Sequence, residues 1–302
     1  MHPPAGPAGH KLYTCPVMRK ERLMPLFQAL ADLFFPRSCI VCGRRLGRHE
    51  RYLCLDCDLD LPLTYFWAQE RNVMADKFNA LIQNRLDRNW EDRGKEGESV
   101  RGLRRAPRRP SAEDGHAVGY VLYARAAALF YYNSQAGYRH IPQALKYEGA
   151  IAPGRYFARR LGMLFARSPL YRDVSLVVPV PLHRSRQWKR GYNQAAVIAR
   201  EIATALGVSC DENLLYRRRR TRTQTRLTVE EKTANVDGAY ADRPARLLPT
   251  ASLHILLVDD VFTTGATLEA CHAALQTAWR DSGADPRRLR ISVATLAYVG
   301  KP

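Results

Sequence analysis

One segment constrains the fold of this chain more than any other: His254 to Leu268, HILLVDDVFTTGATL. Ile255, Leu256, Leu257 and Val258 form an unbroken apolar run, the pattern of a strand buried on both faces. Asp259 and Asp260 stand at its carboxyl end, and Thr263-Thr264-Gly265-Ala266-Thr267 then opens a helix over 266–279. A buried strand that feeds directly into a helix is the unit of a parallel sheet with helices on its faces. The same alternation recurs through the second half of the chain. Residues 120–133 and SLVVPVPL (175–182) read as strands, and RISVATLAYV (290–299) as the last strand. NQAAVIAREIATALG (193–207) reads as an amphipathic helix closed by Gly207, because apolar residues recur on one face and glycine suits a C-cap. The expected class is α/β, a parallel sheet flanked by helices, with ligands at the carboxyl ends of the strands.

The residue types in the segment specify its chemistry. Threonine hydroxyls and the N–H groups of a helix N-terminus attract an anion, assisted by the helix dipole. Gly265 permits a positive φ and close backbone approach to a phosphate. Asp259 and Asp260 would repel that phosphate, and suit hydroxyl donors or a cation instead. A ribose 5-phosphate ester, such as phosphoribosyl pyrophosphate, satisfies both halves. The alternative is an ordinary strand–turn–helix in which the acids cap the helix and Thr264 forms a local turn. Adjacent strand residues face opposite sides, so the two acids reach one ribose only where the strand has turned into the loop at Asp260. A G-x-x-x-x-G-K-(S/T) phosphate loop is absent from the sequence.

The amino-terminal third has a different character. Residues 1–20 are rich in Pro and Gly and read as disordered, with Met18 and Met24 as alternative starts. Residues 21–35 place Leu23, Leu26, Phe27, Leu30, Leu33 and Phe34 at helical spacing, and Pro36 ends the run. Cys39-x2-Cys42 and Cys54-x2-Cys57 follow, eleven residues apart. That is the spacing of a four-thiolate zinc knuckle. Four protein ligands close the coordination sphere, so the expected Zn²⁺ is structural and supplies folding energy to the module over 21–63. Redox-active or unpaired thiols are the alternative, and His49 could replace one ligand. Cys210 and Cys271 read as core residues.

Residues 64–83 read as a connecting segment and 84–117 as a charged insertion or linker, densest from Asn84 to Gly115. Few aliphatics and many arginines favour a solvated segment; a basic arm on a polyanion is the alternative. Across the whole chain 47 basic residues face 29 acidic ones, a formal net charge of +18. Such an excess favours phosphorylated metabolites or nucleic acid as partners, single-stranded nucleic acid among them. No stretch is long and apolar enough to cross a bilayer and no export signal is evident, so a cytoplasmic location without membrane insertion is expected.

The segment 254–268 resembles the nucleotide-site motif of type I phosphoribosyltransferases, in which a hydrophobic strand leads into two acids and TTG(A/T)T. Other blocks narrow the resemblance to the ComF family, which includes competence-associated and GntX-like proteins. PVPLHRSRQWKRGYNQA (179–195) is similar to its P-V-P-L…R-G-(F/Y)-N-Q-A block. Arg217, Arg219, Thr221, Gln224, Leu227, Asn235 and Val236 fit its R-x-R-x-T-x-x-Q-x-x-L…N-V pattern. Lys232 stands where that pattern has Arg, and lysine lacks the bidentate fork. ALKYEG (144–149) resembles the Lys-Tyr-x-Gly loop that meets pyrophosphate in this fold, and the family commonly carries an N-terminal cysteine cluster.

The resemblance implies a phosphoribosyltransferase-like domain over 118–302 and a site built from these blocks. Asp259 and Asp260 would be the catalytic-site acids on the ribose hydroxyls, and Thr263, Thr264, Gly265, Ala266 and Thr267 would bind the 5-phosphate. Lys146, Tyr147, Arg190, Arg217, Arg219 and Gln224 would contact the rest of the donor. Mg²⁺ would accompany the pyrophosphate. The segment 217–226 and the cations Arg184, Arg186, Lys189 and Arg190 also read as a basic rim over the strand ends, or as a solvated basic face. Three functions follow as expectations: phosphoribosyl transfer, with a role in DNA uptake; a non-catalytic metabolite sensor or single-stranded nucleic-acid binder; and a scaffold docked through the cysteine module.

Overall fold

The computed structural model describes residues 37–100, 122–132, 137–147, 151–182, 191–217, 240–242 and 252–300. The readings of residues 1–20 as disordered and 21–35 as a helix lie outside the described residues.

Five parallel strands form the sheet: β1 (Ala126–Tyr132), β2 (Leu176–Pro179), β3 (Ser209–Cys210), β6 (Leu253–Phe262) and β7 (Leu289–Val299), in the order β1-β7-β6-β2-β3. A separate antiparallel pair joins β4 (Leu215–Arg217) to β5 (Tyr240–Asp242). The helices are α1 (Leu55–Leu59), α2 (Val73–Val100), α3 (His140–Tyr147), α4 (Ile151–Arg167), α5 (Gln194–Leu206) and α6 (Ala266–Asp281). The α/β expectation is met. Ile255 to Val258, Val293, Ala294, Leu296 and Ala297 are fully buried, as strands covered on both faces must be.

Connectivity places the crevice. The chain leaves β2 through α5 to reach β3, and leaves β6 through α6 to reach β7, on the other side. Two right-handed crossovers that diverge in this way put their helices on opposite faces. The loops after β2 and β6 therefore part above the carboxyl ends of those strands, where open α/β sheets bind ligands. Local sequence fixes the ends of α5: the Asn193 side chain accepts from Ala195 N, and Gly207 closes the helix at φ 70.

Helix α2 runs continuously from Val73 to Val100, across the boundary between the segment 64–83 read as a connector and the segment 84–117 read as a charged insertion or linker, of which 101–117 lie outside the described residues. Met74, Phe78 and Ile82, four residues apart, and Ala75 beside them are buried, a narrow apolar stripe on one helix face. Asn72 starts the helix: its side-chain oxygen accepts from Met74 N (3.1 Å) and Ala75 N (2.9 Å), while its amide donates to Ala126 O (2.9 Å). Among the described residues no helix is long and apolar enough to cross a membrane.

The cysteine module packs against the sheet domain. Leu63 pairs with Phe130 across the outer edge of β1, and Thr64 N donates to Leu129 O, so that edge is covered rather than left to pair with another chain. Tyr138 donates to Cys57 O (3.2 Å), Arg160 of α4 forms an ion pair with Asp58, and the Tyr52 and Tyr156 rings meet at 5.3 Å. Cys271 is fully buried, as expected of a core residue; Cys210, on the edge strand β3, is half-buried against the core.

Candidate functional site

A cavity of about 330 Å³ opens at the carboxyl ends of β2 and β6. Its floor is Asp259 to Leu268, and its walls are Val180 to Leu182, Asn193 to Ala195, Arg217, Pro142, Gln143, Tyr132 and Val299. Pairing between β2 and β6 ends at Pro179–Val258, apart from a bond from Val180 N to Val258 O (2.8 Å), whereas β6 stays paired with β7 through Phe262. Among the described residues, β6 thus has a strand neighbour on one side only over the segment that carries the acids.

Both acids line this cavity, Asp259 half-buried and Asp260 only 9% exposed. Their arrangement differs from the sequence expectation. The strand does not turn at Asp260 but continues to Phe262; among the described residues, β2 no longer pairs with β6 beside the acids. Asp260 N donates to Asp259 Oδ1 at 2.8 Å, which holds the first carboxylate against the second residue's backbone.

Beyond the strand, Gly265 is the N-cap of α6 with φ 83, and Glu269 N donates to Gly265 O (2.9 Å). Having no side chain, the N-cap residue supplies no side-chain cap, and Ala266, Thr267 and Leu268 of the first turn line the cavity, the end of a helix that favours an anion. Thr264 Oγ1 accepts from Ala266 N only at 3.4 Å, so the local-turn alternative accounts for little of the loop. A Cβ on Gly265 would lie 2.6 Å from Phe262 Cζ and 2.9 Å from Leu81 Cδ1. The loop is therefore seated on α2.

The other cavity walls are held by backbone carbonyls. Asn193 donates to Val180 O (3.0 Å) and accepts from Ala195 N, which ties the two ends of the loop after β2 together. The Tyr192 hydroxyl donates to Leu145 O in the last turn of α3, satisfying one of the carbonyls a helix leaves open at its C-terminus. Lys146 and Tyr147 belong to that last turn, a helix rather than the loop expected from ALKYEG. The remainder of that block, residues 148–149, lies outside the described residues. Of the other expected donor contacts, Arg217 lines the cavity, whereas Arg190, Arg219 and Gln224 lie outside the described residues. Tyr132, Gln143, Asn193 and Gln194 are cavity residues that sequence reasoning did not select. Only Asn193 carried a local signal, an N-cap side chain before an amphipathic helix.

Charge beneath the loop is balanced by a buried pair. Arg85 of α2 reaches Glu269 of α6 with its Nε on Oε1 and its second nitrogen 2.8 Å from Oε2, their side chains 16% and 3% exposed. Burial pushes the Cys271 thiol well up, and Asp259 and Glu269 add to this while Arg217 opposes it. Burial, with Arg85 adding to it, likewise lowers His272 to about 3, so His272 is neutral at ordinary pH.

At the opposite end of the sheet His254 lies 3.0 Å from Asp173 Oδ1 through Nδ1 and 2.9 Å from Ser292 Oγ through Nε2. Serine, histidine and aspartate in this order suggest a nucleophile, but Ser292 is fully buried and no reactant can reach it. Burial lowers His254 in spite of Asp173, which raises it. The three side chains clamp the amino ends of β6 and β7 to the turn before β2.

The metal-ligating expectation is met in geometry. The sulfurs of Cys39, Cys42, Cys54 and Cys57 lie within 4.8 Å of one another, with Cys42 and Cys54 3.6 Å apart. Four sulfurs at about 2.3 Å from a tetrahedral Zn²⁺ are separated by about 3.8 Å, so the cluster fits a zinc ion. Burial would raise the Cys39 thiol, yet N–H groups of Cys42, Cys54 and Val41 bring it down to about 7, while burial and the three neighbouring thiols push Cys57 well up, as expected of four close sulfurs that must share negative charge until a cation joins them. His49 is exposed and outside the cluster.

No family model matches the chain. It is 39% identical over 93 residues to the DNA utilization protein YhgH of Salmonella typhi, covering 30% of this chain and 39% of the relative. With YhgH of Escherichia coli strain K12 the identity is 36% over the same length and the same shares. With Competence protein F of Haemophilus influenzae it is 30% over 135 residues, 42% of this chain and 56% of the relative. The matched stretch thus spans between about two fifths and somewhat over half of these relatives. These similarities, at 30–39% identity, support assigning the chain to the ComF family.

Proposed function

We propose that the cavity binds phosphoribosyl pyrophosphate and that the chain transfers its phosphoribosyl group to an acceptor, in a role connected with DNA uptake or utilization. The observation that carries this reading is the convergence of Asp259, Asp260, Thr263 to Thr267 and Arg217 on one cavity at the strand ends. The helix N-terminus takes the 5-phosphate, and the two carboxylates accept hydrogen bonds from ribose hydroxyls. Arg217 lines the same cavity and would contact the pyrophosphate; the family resemblance adds Lys146, Tyr147, Arg190, Arg219 and Gln224 to that role. Asp259 and Asp260 offer the hard oxygen atoms that suit Mg²⁺, which would arrive with the donor and neutralise the leaving pyrophosphate. An acceptor nucleophile attacks C1 as the C1–oxygen bond to pyrophosphate breaks; the protein orients the ribose and stabilises charge, with no side-chain nucleophile required. The names of the ComF-family relatives support the link to competence and DNA utilization.

Calorimetric titration of phosphoribosyl pyrophosphate with Mg²⁺ tests the site. Wild type should bind, and an Asp259→Ala/Asp260→Ala variant should lose at least ten-fold in affinity, about 1.4 kcal/mol. Equal heats, or none from wild type, refute the reading. Product analysis after offering a panel of bases and amines then identifies the acceptor. A second reading, a non-catalytic single-stranded nucleic-acid binder on the same fold, is favoured by the net charge of +18.

A further inference from the structure

Helix α2 lies across residues read from the sequence as a connecting segment and a charged insertion, yet three of its side chains lie beneath the loop at the cavity floor. Leu81 abuts Gly265, and Phe78 meets Phe262 and His272 edge-on at 6.4 and 5.8 Å. One turn further on, Arg85 grips both oxygens of Glu269. Glu269 stands in the first turn of α6, the helix whose amino end faces the cavity, and its side chain is 3% exposed.

This placement poses an electrostatic problem. A buried carboxylate behind a helix N-terminus repels any anion bound in front of it and offsets the helix dipole. Water cannot screen it there. Among the described residues Arg85 from α2 contacts Glu269, while Asp259 of β6, Arg217 of β4 and Glu269 itself all act on the neighbouring Cys271. Asp259 adds to the repulsion; Arg85 is the cation in direct contact.

We infer that Arg85 is a positioning residue of the anion site: acting through Glu269, it cancels the buried negative charge behind the 263–267 loop and so keeps that loop receptive to a phosphate. The inference rests on the phosphate-loop reading above and deepens it. Arg85 touches no ligand; its effect is carried by charge, and the pair need not be the mechanical tie between α2 and α6, because Phe78 and Leu81 also join them.

A charge role and a mechanical role predict different patterns. Ribose 5-phosphate is titrated into wild type, Arg85→Met, Glu269→Leu and the Arg85→Met/Glu269→Leu double variant at one pH and salt concentration, with thermal unfolding of each measured alongside. On the charge account Arg85→Met weakens binding roughly ten-fold, the size expected of one uncompensated buried charge nearby. Glu269→Leu binds as tightly as wild type or tighter, and the double variant returns to within about two-fold, since apolar replacement of a buried pair is tolerated. Uniform weakening in all three variants, or unchanged binding in a folded Arg85→Met protein, overturns the inference. Loss of binding only in proportion to lost thermal stability overturns it too. Wild type that binds no ribose 5-phosphate removes the phosphate-loop reading first, and this inference with it, so the two failures are distinguishable.

Discussion

Gly265→Ala tests how the phosphate loop is held. The residue sits at φ 83, and placing a β-carbon in the left-handed region costs about 1–2 kcal/mol. The new methyl would also lie 2.6 Å from Phe262 Cζ, 3.0 Å from Phe262 Cε2 and 2.9 Å from Leu81 Cδ1. Leu81 can rotate away at little cost. Phe262 cannot, being fully buried with its ring 6.4 Å from that of Phe78 and 5.7 Å from that of Tyr298. Forcing a methyl into such a seat adds about 1–3 kcal/mol, so the expected loss is about 2–5 kcal/mol. Gly207→Ala supplies the control: φ is 70 there, and a β-carbon would have nothing within 4 Å. It should cost only the conformational part, about 1–2 kcal/mol. Urea denaturation of both variants, compared through midpoint and slope, isolates the packing contribution. Equal losses, within about 0.5 kcal/mol, would refute the claim that α2 and Phe262 form the seat of the loop. Ribose 5-phosphate binding should fall in the first variant alone.

Other expectations concern metal, pH and nucleic acid. Cys54→Ser should abolish stoichiometric zinc as measured by elemental analysis and destabilise the module, because three ligands no longer close the tetrahedron; full retention of zinc would contradict a four-thiolate site. His272, lowered to about 3 by burial from a reference of 6.5, binds its proton more readily in the unfolded chain. Its contribution is therefore complete above pH 6.5 and is lost as pH falls towards 3, amounting to about 2 kcal/mol at pH 5. Relative to wild type, His272→Leu should lose about 2 kcal/mol less between pH 7.5 and 5 in chemical denaturation, and an unchanged pH dependence would exclude this role. If the nucleic-acid reading holds, single-stranded DNA affinity measured by anisotropy should fall linearly on a double-logarithmic salt plot, with a slope of about −0.7 per phosphate contact; a flat plot would count against it.

The features legible in the sequence were those whose signal is local. Four consecutive apolar residues announced β6, and Asn193 and Gly207 bounded α5, because each acts on backbone within a turn of itself. The two C-x-x-C pairs were equally plain, since a metal ion demands fixed ligand types at short spacing. What escaped was non-local. Among the described residues of α2, Met74, Ala75, Phe78 and Ile82 make its buried stripe, and a composition average over a charged stretch dilutes so narrow a stripe to nothing. The partnership of Arg85 with Glu269 spans 184 residues of sequence, so neither residue alone marks a site. Tyr132, Gln143 and Arg217 likewise meet in the cavity only because β1, α3 and β4 converge there. The acids and threonines of 259–267 could thus be named from sequence as candidate groups, but that both acids line one cavity has a non-local origin. It depends on β2 ending its pairing at Pro179 while β7 stays paired through Tyr298, a difference in strand length that, among the described residues, leaves β6 with a strand neighbour on one side only beside the acids.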